Sequence, residues 1–337
     1  MKLVRFLLFP FSILYDLITT IRNILFDVNF LKSTSFKTPI IVVGNLSVGG
    51  TGKTPQIEYL IRLLKDTCNV SVLSRGYRRK TKGFLLVNKT HTAKDVGDEP
   101  LQYFKKFTNI NVAVDEKRVE GIANLMVQKS PEVVLLDDAY QHRKVKGSFY
   151  ILLTKYDDLF TDDFILPTGN LRESRRGAKR TNIILVTKCP ANIDNKEKEF
   201  IKSKLQKFNK TVFFTTIVYA DKIAGSQNIS IKELKEFEVL LITGIANPTP
   251  LLEFLSTQNI KFTHLKYVDH HQFSSKEIED IQQKFNTIHA DNKLILTTEK
   301  DYTRLFNKLK ELSFLEIETV FIEDKIKFDT IIKEHLQ

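Results

Sequence analysis

Residues 40–64 constrain this chain more than any other stretch. The apolar run Ile40-Ile41-Val42-Val43 leads into Gly44-Asn45-Leu46-Ser47-Val48-Gly49-Gly50-Thr51-Gly52-Lys53-Thr54-Pro55, and a helix-like segment from Gln56 to Leu64 follows. Strand, glycine-rich loop and helix in this order form the context of a phosphate-binding loop. Glycines let the backbone curl so that successive N–H groups point inward at phosphate oxygens. The helix N-terminus adds partial positive charge to the cradle. Within Ser47, Val48, Gly49, Gly50, Thr51, Gly52, Lys53 and Thr54, Lys53 can reach the outer phosphates and the Thr54 hydroxyl can coordinate Mg²⁺. The usual pattern opens on glycine where this chain has Ser47, and Val48 stands where a variant form carries a signature lysine. The alternative is a glycine-rich turn without a ligand; the flanking strand and helix favour a nucleoside triphosphate site.

Further apolar runs, Val70–Leu73, Val112–Val114, Val133–Leu136, Tyr150–Leu153 and Ile183–Val186, alternate with amphipathic stretches. Near-continuous apolar strands of this kind predict a parallel sheet covered on both faces. Val212–Tyr219, rich in β-branched and aromatic residues, is another strand candidate. Composition turns polar over 221–235, which reads as a connector, and a second strand–helix alternation begins beyond it. There Val239–Thr243 precedes a helix at Leu251–Leu255, Phe262–Tyr267 precedes one near Lys276–Phe285, and Leu294–Thr297 precedes one at Tyr302–Leu309. Ser274 and Glu277 have capping-box spacing. The expected organisation is an apolar segment over 1–30, a nucleotide-binding domain over 31–220, a connector over 221–235 and a smaller α/β domain over 236–337.

The N-terminal segment from Leu3 to Leu25 is strongly apolar, with Lys2, Arg5 and Arg22 on its flanks. Pro10, Asp16, Thr19, Thr20 and Arg22 interrupt it, which argues against a spanning helix, and no small-residue cleavage site marks it as a secretory signal. Leu7, Phe11, Leu14, Ile18, Ile21 and Leu25 share one helical face. Such a helix can lie in a headgroup layer or pack on the protein's own core. Crowding of Phe6, Phe9, Ile13 and Leu17 on the adjacent face favours the membrane surface. The net charge of +11 points to an anionic partner, whether nucleic acid, acidic membrane or phosphorylated substrate. The two cysteines, Cys68 and Cys189, lack metal-ligand spacing and fit a reducing compartment.

In open α/β sheets ligands gather at the carboxyl ends of strands, so the polar residues there are the candidates for chemistry. Val133–Leu136 ends in Asp137-Asp138, which fits a strand whose terminal Asp helps hold Mg²⁺ beside a phosphate loop. Ala139-Tyr140-Gln141-His142 continues at the same mouth. Asp95-Val96-Gly97-Asp98-Glu99-Pro100 offers either a proton acceptor for an attacking hydroxyl or helix capping. Ser74-Arg75-Gly76-Tyr77-Arg78-Arg79-Lys80 suits a phosphorylated or sugar-like ligand, or is a solvated charge run. Leu171-Arg172-Glu173 adds a cation–carboxylate pair, and Arg118 either faces the cleft or decorates a helix. Asp269-His270-His271 follows a second-domain strand. Neighbouring side chains on extended backbone point to opposite sides, so a two-histidine metal clip is disfavoured, while a His–carboxylate pair could tune proton acceptance.

Together these pieces resemble the tetraacyldisaccharide 4'-kinase family over essentially the whole chain. The resemblance is carried by Gly44–Pro55, Ser74-Arg75-Gly76-Tyr77, Gly97-Asp98-Glu99-Pro100, Asp137-Asp138-Ala139-Tyr140-Gln141-His142, Leu171-Arg172-Glu173, Asp269-His270-His271 and Thr298-Glu299-Lys300-Asp301 in this order and spacing. The Ser47 opening is what the family looks like. Ala139-Tyr140 departs from its more usual Gly-Phe. The resemblance implies a P-loop NTPase-like parallel-sheet domain, a second smaller α/β domain and an N-terminal amphipathic membrane-surface helix. It implies transfer of the ATP γ-phosphate to the 4'-hydroxyl of a tetraacylated glucosamine disaccharide 1-phosphate, giving lipid IVA, at the cytoplasmic face of a Gram-negative inner membrane. Asp98 would be the base-like residue, assisted by His270, with Lys53 on the phosphates. Thr54, Asp138 and Glu173 would arrange Mg²⁺, and Arg75, Tyr77, Arg118, Gln141 and Arg172 would meet substrate.

Two other functions compete. A P-loop GTPase or ATPase switch is suggested by Thr187-Lys188, but Pro190 stands where the guanine-reading Asp belongs. A nucleic-acid binder would use the positive charge, yet no recognition-helix or zinc-finger pattern is present, so no nucleic acid and no protein partner is expected.

Overall fold

The computed structural model describes residues 5–337; Lys2 and Leu3 of the apolar segment lie outside them. Helix α1 (Phe9–Asp27) precedes β1 (Ile40–Asn45), α2 (Lys53–Leu64), β2 (Val70–Ser74), β3 (Leu85–Leu86), α3 (Ala93–Val96), α4 (Asp98–Lys106) and β4 (Asn111–Val114). Then come α5 (Arg118–Lys129), β5 (Val133–Asp137), β6 (Phe149–Lys155), β7 (Ile183–Thr187), α6 (Asn195–Leu205) and β8 (Thr211–Gly225). The remainder is β9 (Glu238–Thr243), α7 (Thr249–Thr257), β10 (Lys261–Lys266), α8 (Ser275–Asn286), β11 (Lys293–Thr298), α9 (Glu299–Leu305), β12 (Leu312–Phe321) and α10 (Lys325–Leu336).

All described strands join one 12-stranded sheet in the order β10-β9-β11-β12-β8-β7-β6-β1-β5-β2-β4-β3. Every pairing is parallel except β8–β12 and β3–β4. The buried strands are apolar on both faces because helices cover both. Ile41 and Val43 point into a cluster with Ile57, Leu60 and Ile61 of α2, while Ile40 and Val42 point the other way, toward Ile122 and Leu125 of α5. In the C-terminal half, Val239 and Leu241 pack with Leu251 and Leu255 of α7, and Leu240 and Ile242 with Ile281 and Phe285 of α8.

Strand β8 joins the halves. Thr211–Phe214 run parallel to β7, and from Thr215 to Gly225 the same strand runs antiparallel to β12. Asp221–Gly225, expected to be irregular connector, are therefore sheet. Their polar alternation reflects a two-stranded ribbon with partly exposed faces. The ribbon is spanned on one side by Lys106 of α4, whose Nζ lies 2.8 Å from Glu299, 3.0 Å from Glu58 and 2.8 Å from Glu316. Burial, with Glu58 nearby, pushes Glu299 up to about 8.

Helix α1 is inverted relative to an ordinary surface helix. Its body-facing side is polar: the Ser12 hydroxyl donates to Thr168 Oγ1 (2.7 Å), Tyr15 to the Arg172 carbonyl (3.1 Å) and Asn23 to Glu173 (2.6 Å). Its apolar side faces outward, with Phe11 62%, Leu14 56% and Ile18 57% exposed. Among the described residues no helix is long and apolar enough to cross a membrane.

Candidate active site

The loop between β1 and α2 takes its shape from its glycines. Gly49 and Gly52 hold φ of 111° and 85°, a region that side chains other than glycine rarely occupy. Gly44 is required for a different reason: a Cβ there would meet Tyr140 Cβ at 2.6 Å, so β1 passes hard against the segment after β5. The segment 170–172 pins the loop from outside. Val48 donates to the Asn170 carbonyl (2.8 Å), and Arg172 N–H donates to the Leu46 carbonyl (2.7 Å). The Thr187 hydroxyl donates to the Thr51 carbonyl (2.8 Å). All eight residues from Ser47 to Thr54 thus form one curled turn opening α2, with Ser47 and Thr51 buried and Val48, Gly49 and Gly50 exposed. Lys53 Nζ reaches back to Asn45 Oδ1 (3.5 Å) and across to Asp138 Oδ1 (3.6 Å).

Parallel register places the acidic pair. Val43 aligns with Asp137, so β5 delivers its two carboxylates beside the start of the loop. Asp137 is buried, accepts from Ser74 (3.4 Å) and Tyr103 (3.3 Å), and is pushed up to about 7 by burial and by the neighbouring Asp138 and Glu99. Asp138 takes a left-handed turn, with φ of 48°, and turns toward Lys53 and Arg172. Arg172 Nη1 lies 3.1 and 3.2 Å from its oxygens. Burial opposes its charge, but Lys53 and Arg172 outweigh that and hold its carboxyl below the usual range. Gln141 donates to the Asn45 carbonyl (2.8 Å) and to Glu173 (3.1 Å). Burial and nearby cations hold His142 down to about 4, a neutral imidazole.

Glu173, expected to help arrange Mg²⁺, is held by side chains from three segments. Its oxygens are engaged by Arg180 (2.8 and 3.0 Å), Gln141 and Asn23 of α1. This buried carboxylate ties α1 to the loop after β5. Among the described residues no three His, Cys, Asp or Glu side chains converge as a metal cage.

On the far side of β5, Arg118 is buried at the start of α5, where Nη1 donates to the Asp115 carbonyl (2.8 Å). Burial lowers it to about 10, with Asp137 and Asp138 opposing that fall and Arg75 adding to it. Arg75 is exposed just past β2. Tyr77 is exposed and sets its ring edge-on to His270 at 5.5 Å.

The carboxylates of residues 95–99 divide their roles. Asp95 completes a capping box with Thr92 on α3. Asp98 opens α4 after Gly97, whose φ is 94° and whose Cβ, if present, would meet Gly76 Cα at 3.1 Å. The buried Asp98 Oδ2 lies 2.7 Å from His270 Nδ1, across the two halves of the chain. Arg304 Nε stands 3.2 Å from Asp98 Oδ1. Burial resists ionisation, yet the His270 hydrogen bond and the Arg304 and Lys300 charges hold Asp98 below the usual carboxylate range. His270 itself takes φ of 58° and donates its backbone N–H to the Gly244 carbonyl (3.0 Å). His271 turns away to Glu277 (2.8 Å); the two histidines part at a turn, not on the extended backbone expected.

Arg304 was not foreseen, and no role was assigned to Lys300. The available signal was Thr298-Glu299-Lys300-Asp301 after β11: Thr298 caps α9 by accepting from Asp301 N–H (3.1 Å), which brings Lys300 and Arg304 onto the Asp98–His270 pair. Tyr103, on the same helix α4 as Asp98, reaches Asp137 (3.3 Å), whose strand pairs with β1 at the start of the curled turn.

A family profile described as Tetraacyldisaccharide-1-P 4'-kinase matches residues 4–337. A tetraacyldisaccharide 4'-kinase of Flavobacterium johnsoniae is 52% identical over 342 residues, covering 100% of this chain and 98% of that protein. One of Bacteroides thetaiotaomicron is 45% identical, covering 89% of this chain and 83% of the other. The crystal structure of LpxK from Aquifex aeolicus in complex with ATP superposes with a TM-score of 0.80 at 31% identity, covering 99% of this chain and 100% of that one. The chain belongs to the tetraacyldisaccharide 4'-kinase family.

Proposed function

We propose that this chain transfers the γ-phosphate of ATP to the 4'-hydroxyl of a tetraacylated glucosamine disaccharide 1-phosphate, yielding lipid IVA. The observation that carries this reading is the 2.7 Å meeting of Asp98 with His270 across the two halves of the chain. A buried, ionised carboxylate there suits proton removal from an alcohol, and a phosphate cradle suits the donor. As the hydroxyl oxygen forms its bond to the γ-phosphorus, its proton passes to Asp98 and the bond to ADP breaks. Lys53 and the loop N–H groups hold the phosphates. The oxygen donors Thr54 and Asp138 fit magnesium, a hard cation that keeps several waters and phosphate ligands and neutralises charge on the transferring group when bound. Asp138 is already ionised, as such a role requires. Arg75, Tyr77, Arg118 and Arg172 are the groups we assign to the acceptor and its phosphate, with Gln141 orienting the mouth.

The acceptor's acyl chains stay in a bilayer, so the enzyme must work at its surface. The outward apolar side of α1 supports insertion into the cytoplasmic face of the inner membrane, with Arg5 and Arg22 near anionic headgroups. Its polar side runs along 165–173, so the lipid-facing element and the phosphate site share one segment. The division into a kinase domain over 31–220 and a smaller domain over 236–337 implies closure about the β8–β12 ribbon, since the Asp98–His270 pair spans both. Replacing Phe11, Leu14 and Ile18 with asparagine should weaken recovery on anionic phospholipid vesicles by about tenfold or more per residue, from lost apolar burial. Unchanged partitioning in a sedimentation assay would contradict the anchor.

The function is tested by incubating the purified chain with magnesium, γ-labelled ATP and the disaccharide 1-phosphate in mixed micelles. Label on the glycolipid is expected. Label released only as free phosphate would favour a nucleotide-hydrolysing switch.

A further inference from the structure

The Asp98–His270 pair is held by a third and a fourth residue. Lys300, in the first turn of α9, places Nζ 3.0 Å from His270 Nε2 and 3.3 Å from Glu99 Oε1. An ammonium has donors and no acceptor. The contact at Nε2 therefore runs in one direction, from lysine to ring, and the ring lone pair lies at Nε2. The ring hydrogen must then sit on Nδ1, where it meets Asp98 Oδ2 at 2.7 Å. Arg304, one turn further along α9, sets its charge 3.2 Å (Nε) from the other Asp98 oxygen and donates from Nη1 to the His271 carbonyl (3.1 Å). Its own partner Asp301 is fully buried, and accepts from Gly244 N–H (2.9 Å) and the Thr298 hydroxyl (2.8 Å). Two cations on successive turns of one short helix thus fix both members of the pair.

We infer that Lys300 is a positioning residue that fixes the tautomer of His270, committing Nε2 as acceptor so that His270 donates to Asp98 and Asp98 alone receives the proton of the attacking hydroxyl. The inference rests on the reading of Asp98 as proton acceptor. It also assigns what that reading leaves open within the pair. With Nε2 committed to Lys300, the imidazole has no free lone pair for the substrate. Its task is to hold one Asp98 oxygen in place and to steady the carboxylate before transfer. Other groups around the ring agree. Asp269 Oδ2 stands 3.9 Å from Nε2, too far to displace the lysine, and Tyr77 offers only a ring edge. The same helix carries Glu299, bound to Lys106 of α4, so the tautomer is set when the two halves of the chain are together.

The test uses the full chain, isotope-labelled at histidine nitrogens, with the His270 resonances assigned by difference from H270Q. Nitrogen NMR of the wild-type protein should show a protonated Nδ1 and a lone-pair Nε2. In Lys300→Met both tautomers should become populated, and kcat should fall on the order of tenfold to a hundredfold, the scale on which outer partners of a functional side chain act. KM for ATP should stay unchanged. Lys300→Arg, which keeps a donor, should restore the tautomer and most of kcat. A proton on Nε2 in the wild type would overturn the inference, and so would a Lys300→Met variant with native tautomer and native kcat. Should Lys300→Met fail to fold by circular dichroism, the wild-type spectrum still decides. Native turnover by Asp98→Asn would instead overturn the proton-acceptor reading, whatever the tautomer of His270.

Discussion

Replacing Lys53 with alanine is expected to lower kcat by about 10²–10³-fold, the cost of removing one preorganised charge from a group that accumulates it. The side chain sits at the first position of α2 and already leans on Asp138 Oδ1 at 3.6 Å. With phosphate in the cradle its ammonium has a better partner, because the loop directs N–H groups and the α2 N-terminus to the same point. Alanine keeps the backbone turn, so the fold should persist while charge neutralisation is lost. Steady-state kinetics with a thermal melt separates these effects. Near-native turnover in a folded variant would remove this loop from the chemistry.

Asp98→Asn should cost about 10²–10⁴-fold in kcat, the range that a positioned general base supplies, and should leave ATP affinity nearly unchanged. Asparagine can still accept from His270 Nδ1 but cannot take a proton. The pH dependence has a definite sign. The carboxyl of Asp98 is held below its ordinary value in the folded protein, with burial opposing and His270, Arg304 and Lys300 prevailing. It is therefore ionised through neutral pH, and the stability this charge contributes is present above the unfolded carboxylate value of about 4. That contribution is lost as pH falls through the lower folded value. Activity should likewise fall on acidification only there. A variant whose defect is confined to KM for ATP would contradict the base role.

Much of the fold was legible because its strands are buried on both faces and read as unbroken apolar runs. Val70–Leu73, Ile183–Val186 and Val239–Thr243 all fall within strands of the structure. Strand β12 was not read, because Glu316, Glu318 and Thr319 interrupt its apolar pattern where the ribbon is open on part of its surface. The same ribbon explains why Asp221–Gly225 looked like a connector. In α1, periodicity identified an apolar face but not the direction in which it points. Only the contacts of Ser12, Tyr15 and Asn23 with 165–173 decide that. At the site, the curled loop and the acidic end of β5 could be read locally, as neighbouring residues with a shared purpose. The Asp98–His270 contact joins residues 172 positions apart, so only the resemblance suggested it. The Arg180–Glu173 ion pair was not legible, because a carboxylate after an arginine does not show which cation it meets.

The central claim is that Asp98, with the Ser47–Thr54 cradle holding ATP, directs phosphate onto one hydroxyl of the sugar. It is tested most directly by locating the new phosphate on the product. Proton–phosphorus correlation NMR of the reacted glycolipid should show a second monoester coupled to the proton at the 4'-carbon, formed by the wild-type chain and not by Asp98→Asn. A new phosphate attached to the existing 1-phosphate, or spread over several hydroxyls, would contradict the account.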